Sequence, residues 1–164
     1  MAALPAGSRA VEFTLLALDG KRYSLAEALK EGPLLAAFFK SECPVCQFTF
    51  PFLERFQRHF RDTKAHLWAI SQDERGETEQ FVREYGLTMP VLLDEIEKNY
   101  PVSNAYGLTH VPTAFLIGQG GDVLHTSVGF VKQDLIQIGR KLETLTGRKG
   151  FVPFREEDDV PDSR

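Results

Sequence analysis

The chain has 164 residues, 43% of them hydrophobic and 26% charged, with a formal net charge of −4 from 19 basic and 23 acidic side chains. A chain of this length closes one domain core without a disulfide or metal staple, and two cysteines are too few for a disulfide framework or a four-thiolate zinc site. The slightly acidic balance argues against nucleic acid or an anionic membrane surface as a partner, and no window approaches the roughly 18 consecutive apolar residues of a membrane span.

Residues 1–9 contain no apolar run of signal-peptide length, so they read as a flexible N-terminus and the expected location is the cytoplasm. Val11 to Leu18 and Lys21 to Leu25 flank the turn Asp19-Gly20 and predict an N-terminal β-hairpin. Ser24 can cap a short helix over Leu25 to Lys30, which Gly32-Pro33 ends. The continuous apolar run Leu34 to Phe39 predicts a strand buried on both faces. Phe48, Phe52, Leu53, Phe56 and Phe60 then recur at helical spacing, predicting an amphipathic helix from Cys46 to Phe60 that Pro51 should kink. A strand over Ala65 to Ser71, a helix over Glu77 to Tyr85 stopped by Gly86, and a strand over Pro90 to Leu93 follow. Asn99 to Tyr106 predicts a short helix, Thr113 to Ile117 a strand, residues 118–122 a hairpin turn, Val123 to Val128 its second strand and Lys132 to Leu145 a last helix. Residues 147–164 are acidic and short of core formers, which predicts a mobile tail. Strands alternating with helices over residues 10–146 predict an α/β core with right-handed crossovers and an antiparallel edge from the late hairpin.

The chemistry concentrates in Cys43-Pro44-Val45-Cys46, placed between the apolar strand and the aromatic helix. In that position the pair reads as a redox dithiol. The sulfurs can close a disulfide across the first helical turn, and the backbone N–H groups favour a thiolate on Cys43, which attacks while Cys46 resolves. Lys40 would support the thiolate and Glu42 oppose it, though solvated loop charges are the simpler reading of both. No metal is expected, because His59, His66, His110 and His125 are scattered and form no second ligand pair.

These features resemble the thioredoxin superfamily, and within it the TlpA-like thiol:disulfide oxidoreductases of the redoxin (AhpC/TSA-like) group. The C-x-x-C opening a helix, Pro51 eight residues after Cys43, and Val111-Pro112-Thr113 carry the resemblance. It implies a three-layer α/β/α fold with a mixed central sheet and an added N-terminal hairpin. It also implies a cis bond before Pro112, an isomer that X-Pro bonds adopt far more readily than others. Substrate binding would fall to Val111, Pro112, Thr113, Pro44 and Val45, with no cofactor beyond the Cys43–Cys46 redox disulfide. The acid of thioredoxins is replaced by Ala37, and the glutamate that many TlpA-like proteins carry after the second cysteine is replaced by Thr49. Proton handling therefore falls to Lys40, Glu42, Thr49 or solvent, with His110 as a further modulator of the thiolate.

The expected function is disulfide exchange with protein or small-molecule disulfides, recharged by an electron-donor thiol system, by a chain expected to be a monomer. A peroxiredoxin-like peroxidase is the nearest rival, but such enzymes place threonine or serine three residues before the reactive cysteine. Lys40 stands there for Cys43, and Cys43 itself for Cys46. A redox sensor or peptide-binding module is the third possibility.

Overall fold

The computed structural model describes residues 2–164. Strands β1 (Thr14–Leu16) and β2 (Arg22–Ser24) form the expected hairpin, followed by α1 (Leu25–Glu31), whose first turn is capped by the Ser24 hydroxyl accepting the Glu27 N–H at 3.1 Å. Then come β3 (Leu34–Phe39), α2 (Pro44–Phe60), β4 (His66–Ser71), α3 (Arg75–Tyr85) and β5 (Val91–Leu93). The chain closes with α4 (Pro101–Ala105), β6 (Thr113–Ile117), β7 (Val123–Val128) and α5 (Lys132–Thr146). Gly86 ends α3 at φ 63°, the left-handed conformation that glycine adopts without a Cβ clash.

The five-stranded sheet runs β5-β4-β3-β6-β7, parallel from β3 through β5 and antiparallel at β6 and β7. Because strand side chains alternate between faces, β3 supplies both cores. Leu35, Ala37 and Phe39 meet the aromatic residues of α2, Phe81 of α3, and Leu135, Ile138 and Leu142 of α5. Leu34, Ala36 and Phe38 meet the hairpin, α1 and Tyr106 just past α4. The result is a three-layer α/β/α arrangement with every residue of β3 buried. No described helix is long and apolar enough to cross a membrane.

Two terminal segments depart from the sequence expectation. Met1 lies outside the described residues, but the rest of the segment expected to be flexible runs along β7. The Gly7 N–H donates to the Val123 carbonyl at 2.8 Å, the Val123 N–H donates to the Ser8 carbonyl at 2.8 Å, and the Leu4 N–H donates to the Tyr106 carbonyl at 3.1 Å. The open edge at Val123 and the carbonyl at the end of α4 provide these partners, which composition does not register.

Residues 147–164, expected to form a mobile tail, instead fold back over α2 and α5. Phe151 stacks 4.5 Å from Phe56 and 5.2 Å from Phe60, and Phe154 lies 5.0 Å from Phe52. The Arg55 guanidinium donates to both Asp158 carboxylate oxygens, at 2.7 and 2.9 Å, and to the Pro153 carbonyl at 2.9 Å. That fork, helped by the Arg155 N–H, holds the Asp158 carboxyl well below the usual carboxylate range. The clamp is therefore present above the ordinary carboxylate range and is lost only as pH falls through the depressed value. The apolar residues between the charges outweigh the acidic run that suggested disorder.

Candidate dithiol site

Two chain segments converge at the end of the sheet where β3 stops and β6 starts. After β3 the chain turns through Lys40–Glu42, with the Cys43 N–H donating to the Lys40 carbonyl at 3.3 Å. Cys43 is the residue that caps α2, and Pro44 occupies its first turn, where a proline lacks only an N–H that would have had no helical partner. The helix thus begins two residues before the predicted Cys46, because apolar spacing cannot register a proline start. Pro51 lies inside α2 without ending it.

The Cys46 N–H donates to Cys43 Sγ at 3.2 Å, and the Cys43 thiol donates to the Val111 carbonyl at 3.5 Å. Cys43 is partly exposed and Cys46 is 0% exposed, both as free thiols. Burial pushes the Cys46 thiol far above its ordinary value, with its side-chain hydrogen bond to Cys43 and the charges of Cys43 and Asp73 adding to the effect. The site is therefore asymmetric: an accessible sulfur facing a helical N–H, and a protonated sulfur beneath it. Brief treatment of the reduced protein with iodoacetamide near neutral pH is expected to alkylate Cys43 at least about ten-fold faster than Cys46, as thiolate fraction and access both dictate. Peptide mapping by mass spectrometry checks this, and equal labelling would contradict the asymmetry.

The second segment carries Val111, Pro112 and Thr113. The Val111–Pro112 peptide bond is cis, Pro112 is buried, and the buried Thr113 hydroxyl donates to the His110 carbonyl at 2.8 Å, tying the loop to the start of β6. The Cys43–Cys46 turn, with Pro44 and Val45 between the cysteines, and the Val111–Thr113 loop thus meet through the Cys43 sulfur.

The proposed modulators are placed differently. The side chains of Lys40 and Glu42 are exposed and make no hydrogen bond to either thiol among the described residues. The Thr49 hydroxyl is buried and donates to the Val45 carbonyl at 2.7 Å, so its proton is committed one turn back in the helix. The exposed His110 shares a 2.9 Å hydrogen bond with the Thr109 hydroxyl.

Asp73 is the group that motif reading missed. The β3–β4 register sets Phe39 opposite Ser71, so residue 73 falls beside residue 41. There the Asp73 carboxylate accepts the Ser41 N–H, and the Asp73 N–H donates to the Ser71 hydroxyl at 3.0 Å. The Gln47 amide holds the Ser41 carbonyl at 2.9 Å, completing a brace under the cysteine turn. The available signal was positional: sites in α/β sheets form beyond the C-terminal ends of parallel strands, which is where Asp73 lies.

With this geometry established, residues 6–126 match the model of the AhpC/TSA family. The chain belongs to that family. A relative named thiol-disulfide oxidoreductase ResA, from Halalkalibacterium halodurans, is 30% identical over 133 residues, covering 80% of this chain and 73% of the relative. Among solved structures, one described as a DsbE-type thiol:disulfide interchange protein from Chlorobium tepidum superposes with a TM-score of 0.77 at 25% identity, covering 88% of this chain and 100% of the other. Peroxidoxin BcpB from Mycobacterium tuberculosis superposes with a TM-score of 0.70 at 20% identity over 90% of this chain and 99% of that one, a likeness of fold alone. Family membership and the thioredoxin-like architecture agree with the resemblance drawn from the C-x-x-C, Pro51 and Pro112.

Proposed function

We propose that this family member is a thiol:disulfide oxidoreductase whose redox centre is the pair Cys43 and Cys46. One observation carries the reading: the partly exposed Cys43 sulfur sits between the Cys46 N–H at a helix start and the Val111 carbonyl, directly above a buried partner thiol. In the forward direction the Cys43 thiolate attacks one sulfur of a client disulfide. The S–S bond of the client breaks, its other sulfur leaves as a thiolate and takes up a proton, and a mixed disulfide remains on Cys43. Cys46 then loses its proton and attacks Cys43 Sγ, releasing the second client sulfur, which is also protonated. Two electrons and two protons pass from the dithiol to the client, and the Cys43–Cys46 disulfide remains.

Burial of Cys46 keeps it protonated until the mixed disulfide forms, so attack by the outer sulfur precedes resolution by the inner one. The backbone of the Val111 loop faces the reacting sulfur and offers an extended client its carbonyl. Proteins carrying disulfides are the client class, small disulfides are accepted by the same sulfur, and a thiol donor restores the dithiol.

The test is Cys46→Ser. This variant is expected to accumulate a mixed disulfide with a disulfide-bonded polypeptide at about one client per chain, released by dithiothreitol, whereas the wild-type protein retains almost none. Intact mass under non-reducing conditions reads the adduct. Absence of any adduct in this variant, with Cys43 reduced at the start, would overturn the assignment.

A further inference from the structure

The last residues of the described chain form an isolated antiparallel bridge with the segment that follows β7, beside the loop facing Cys43. The Arg164 N–H donates to the Phe130 carbonyl at 2.8 Å, the Phe130 N–H donates to the Arg164 carbonyl at 3.1 Å, and the Lys132 N–H donates to the Asp162 carbonyl at 2.8 Å. Val131 and Ser163 form the antiparallel bridge between them. One residue earlier, the Gly129 N–H donates to the carbonyl of Pro112 at 2.7 Å, so this edge is attached directly to the loop facing Cys43.

The contact is close and specific. Gly129 has a φ of 74°, and a Cβ built there would lie 3.0 Å from the Arg164 carbonyl oxygen. The Arg164 guanidinium lies 4.5 Å above the ring of Phe48, two residues past Cys46, and that ring packs 4.9 Å from Phe130. Residues 161–164 are themselves exposed, so what anchors them lies upstream, in the Arg55–Asp158 clamp and the packing of Phe154 and Val160 on the core.

An extended polypeptide is recognised by adding a strand to an open edge, with backbone hydrogen bonds giving the affinity. Here the edge at Phe130–Lys132, continuous with the cis-proline loop, is already paired. We infer that residues 161–164 are a substrate-selecting strap: they occupy the strand-pairing edge beside the dithiol, so that disulfides in extended polypeptide lose those backbone contacts while small disulfides reach Cys43 unhindered. Selectivity of this kind comes from a contact withheld from one class of substrate. The inference rests on the redox assignment of Cys43 and Cys46.

The experiment compares single-turnover oxidation of the reduced 164-residue chain, a variant lacking residues 161–164, and the untruncated variant Arg164→Pro, which removes the Arg164 N–H. Insulin is the polypeptide disulfide and bis(2-hydroxyethyl) disulfide the small one. The ratio of the insulin rate to the small-disulfide rate is expected to rise about ten-fold in the deletion, which frees the whole edge, and about five-fold in Arg164→Pro, which frees only the Phe130 carbonyl, the range for one or two backbone hydrogen bonds regained by the client. Arg164→Ala keeps the backbone pair and should stay near the wild-type ratio. If the deletion impairs folding, both of its rates fall together, and Arg164→Pro still reports the ratio. An unchanged or lower ratio in the variants that fold would overturn the strap. Failure of the small disulfide to oxidise Cys43 and Cys46 in the wild-type chain would instead strike the redox assignment, and the strap with it.

Discussion

Cys43→Ala is expected to lower the single-turnover rate of disulfide exchange by at least about a thousand-fold, because it removes the nucleophile and leaves only a buried, protonated thiol. Cys46 is 0% exposed and its thiol is pushed up by burial, so it cannot replace Cys43 as the attacking group. The substitution also removes the sulfur that accepts the Cys46 N–H at the start of α2. Losing a helix cap costs about 1 kcal/mol, and for a chain of this size that lowers the thermal midpoint by about 2–4 °C. A large kinetic loss with a small stability loss is thus the expected signature, measured by mass-resolved thiol counting and by thermal unfolding. A Cys43→Ala protein that exchanged disulfides at the wild-type rate would require a different centre.

Phe56→Ala is expected to be the opposite case, with the larger loss in stability. Phe56 is 0% exposed, belongs to the core between α2 and the sheet, and stacks 4.5 Å from Phe151 of the C-terminal segment. Truncating a buried phenylalanine costs about 3–5 kcal/mol through lost burial and the cavity left behind. At about 2–4 °C per kcal/mol, the thermal midpoint should fall by about 10 °C. Differential scanning calorimetry at matched concentration measures this. A drop below about 3 °C would mean that the aromatic contact between α2 and the C-terminal segment lies outside the cooperative unit.

Much of this architecture was legible because its signals are local. Leu34–Phe39, Thr113–Ile117 and Val123–Val128 stand in the structure at their predicted bounds, since runs of buried apolar and β-branched residues need no distant information to be recognised. The cysteine pair was legible for the same reason, being a motif of four consecutive residues at a strand-to-helix junction. The helix predicted over Asn99 to Tyr106 is shorter in the structure: Asn99 and Tyr100 adopt positive φ, at 60° and 49°, after a 3-10 turn at Ile96–Lys98, so the α-helix starts only at Pro101. Backbone turns of this kind leave little trace in a hydrophobic pattern.

Features set by distant residues were not legible. Asp73 looks like one more loop acid until the parallel pairing of β3 with β4 places it beside Ser41. Arg55 has no local signal of its role, because its partner Asp158 stands 103 positions later. The acidic run predicts a mobile tail because composition averages over residues, whereas Phe151, Phe154 and Val160 act one at a time on a core whose open face leaves no mark in the pattern.

The contact between Cys43 and the Val111 carbonyl spans 68 positions of sequence. The two cysteines are near neighbours from the moment they are synthesised, but the peptide group that completes their setting arrives only when β6 pairs with β3, a long-range closure of the kind that slows folding. A chain ending before residue 111 therefore carries both cysteines without the carbonyl that faces Cys43. The surroundings of the Cys43 sulfur are in this way set by completion of the central sheet and not by the four-residue motif alone.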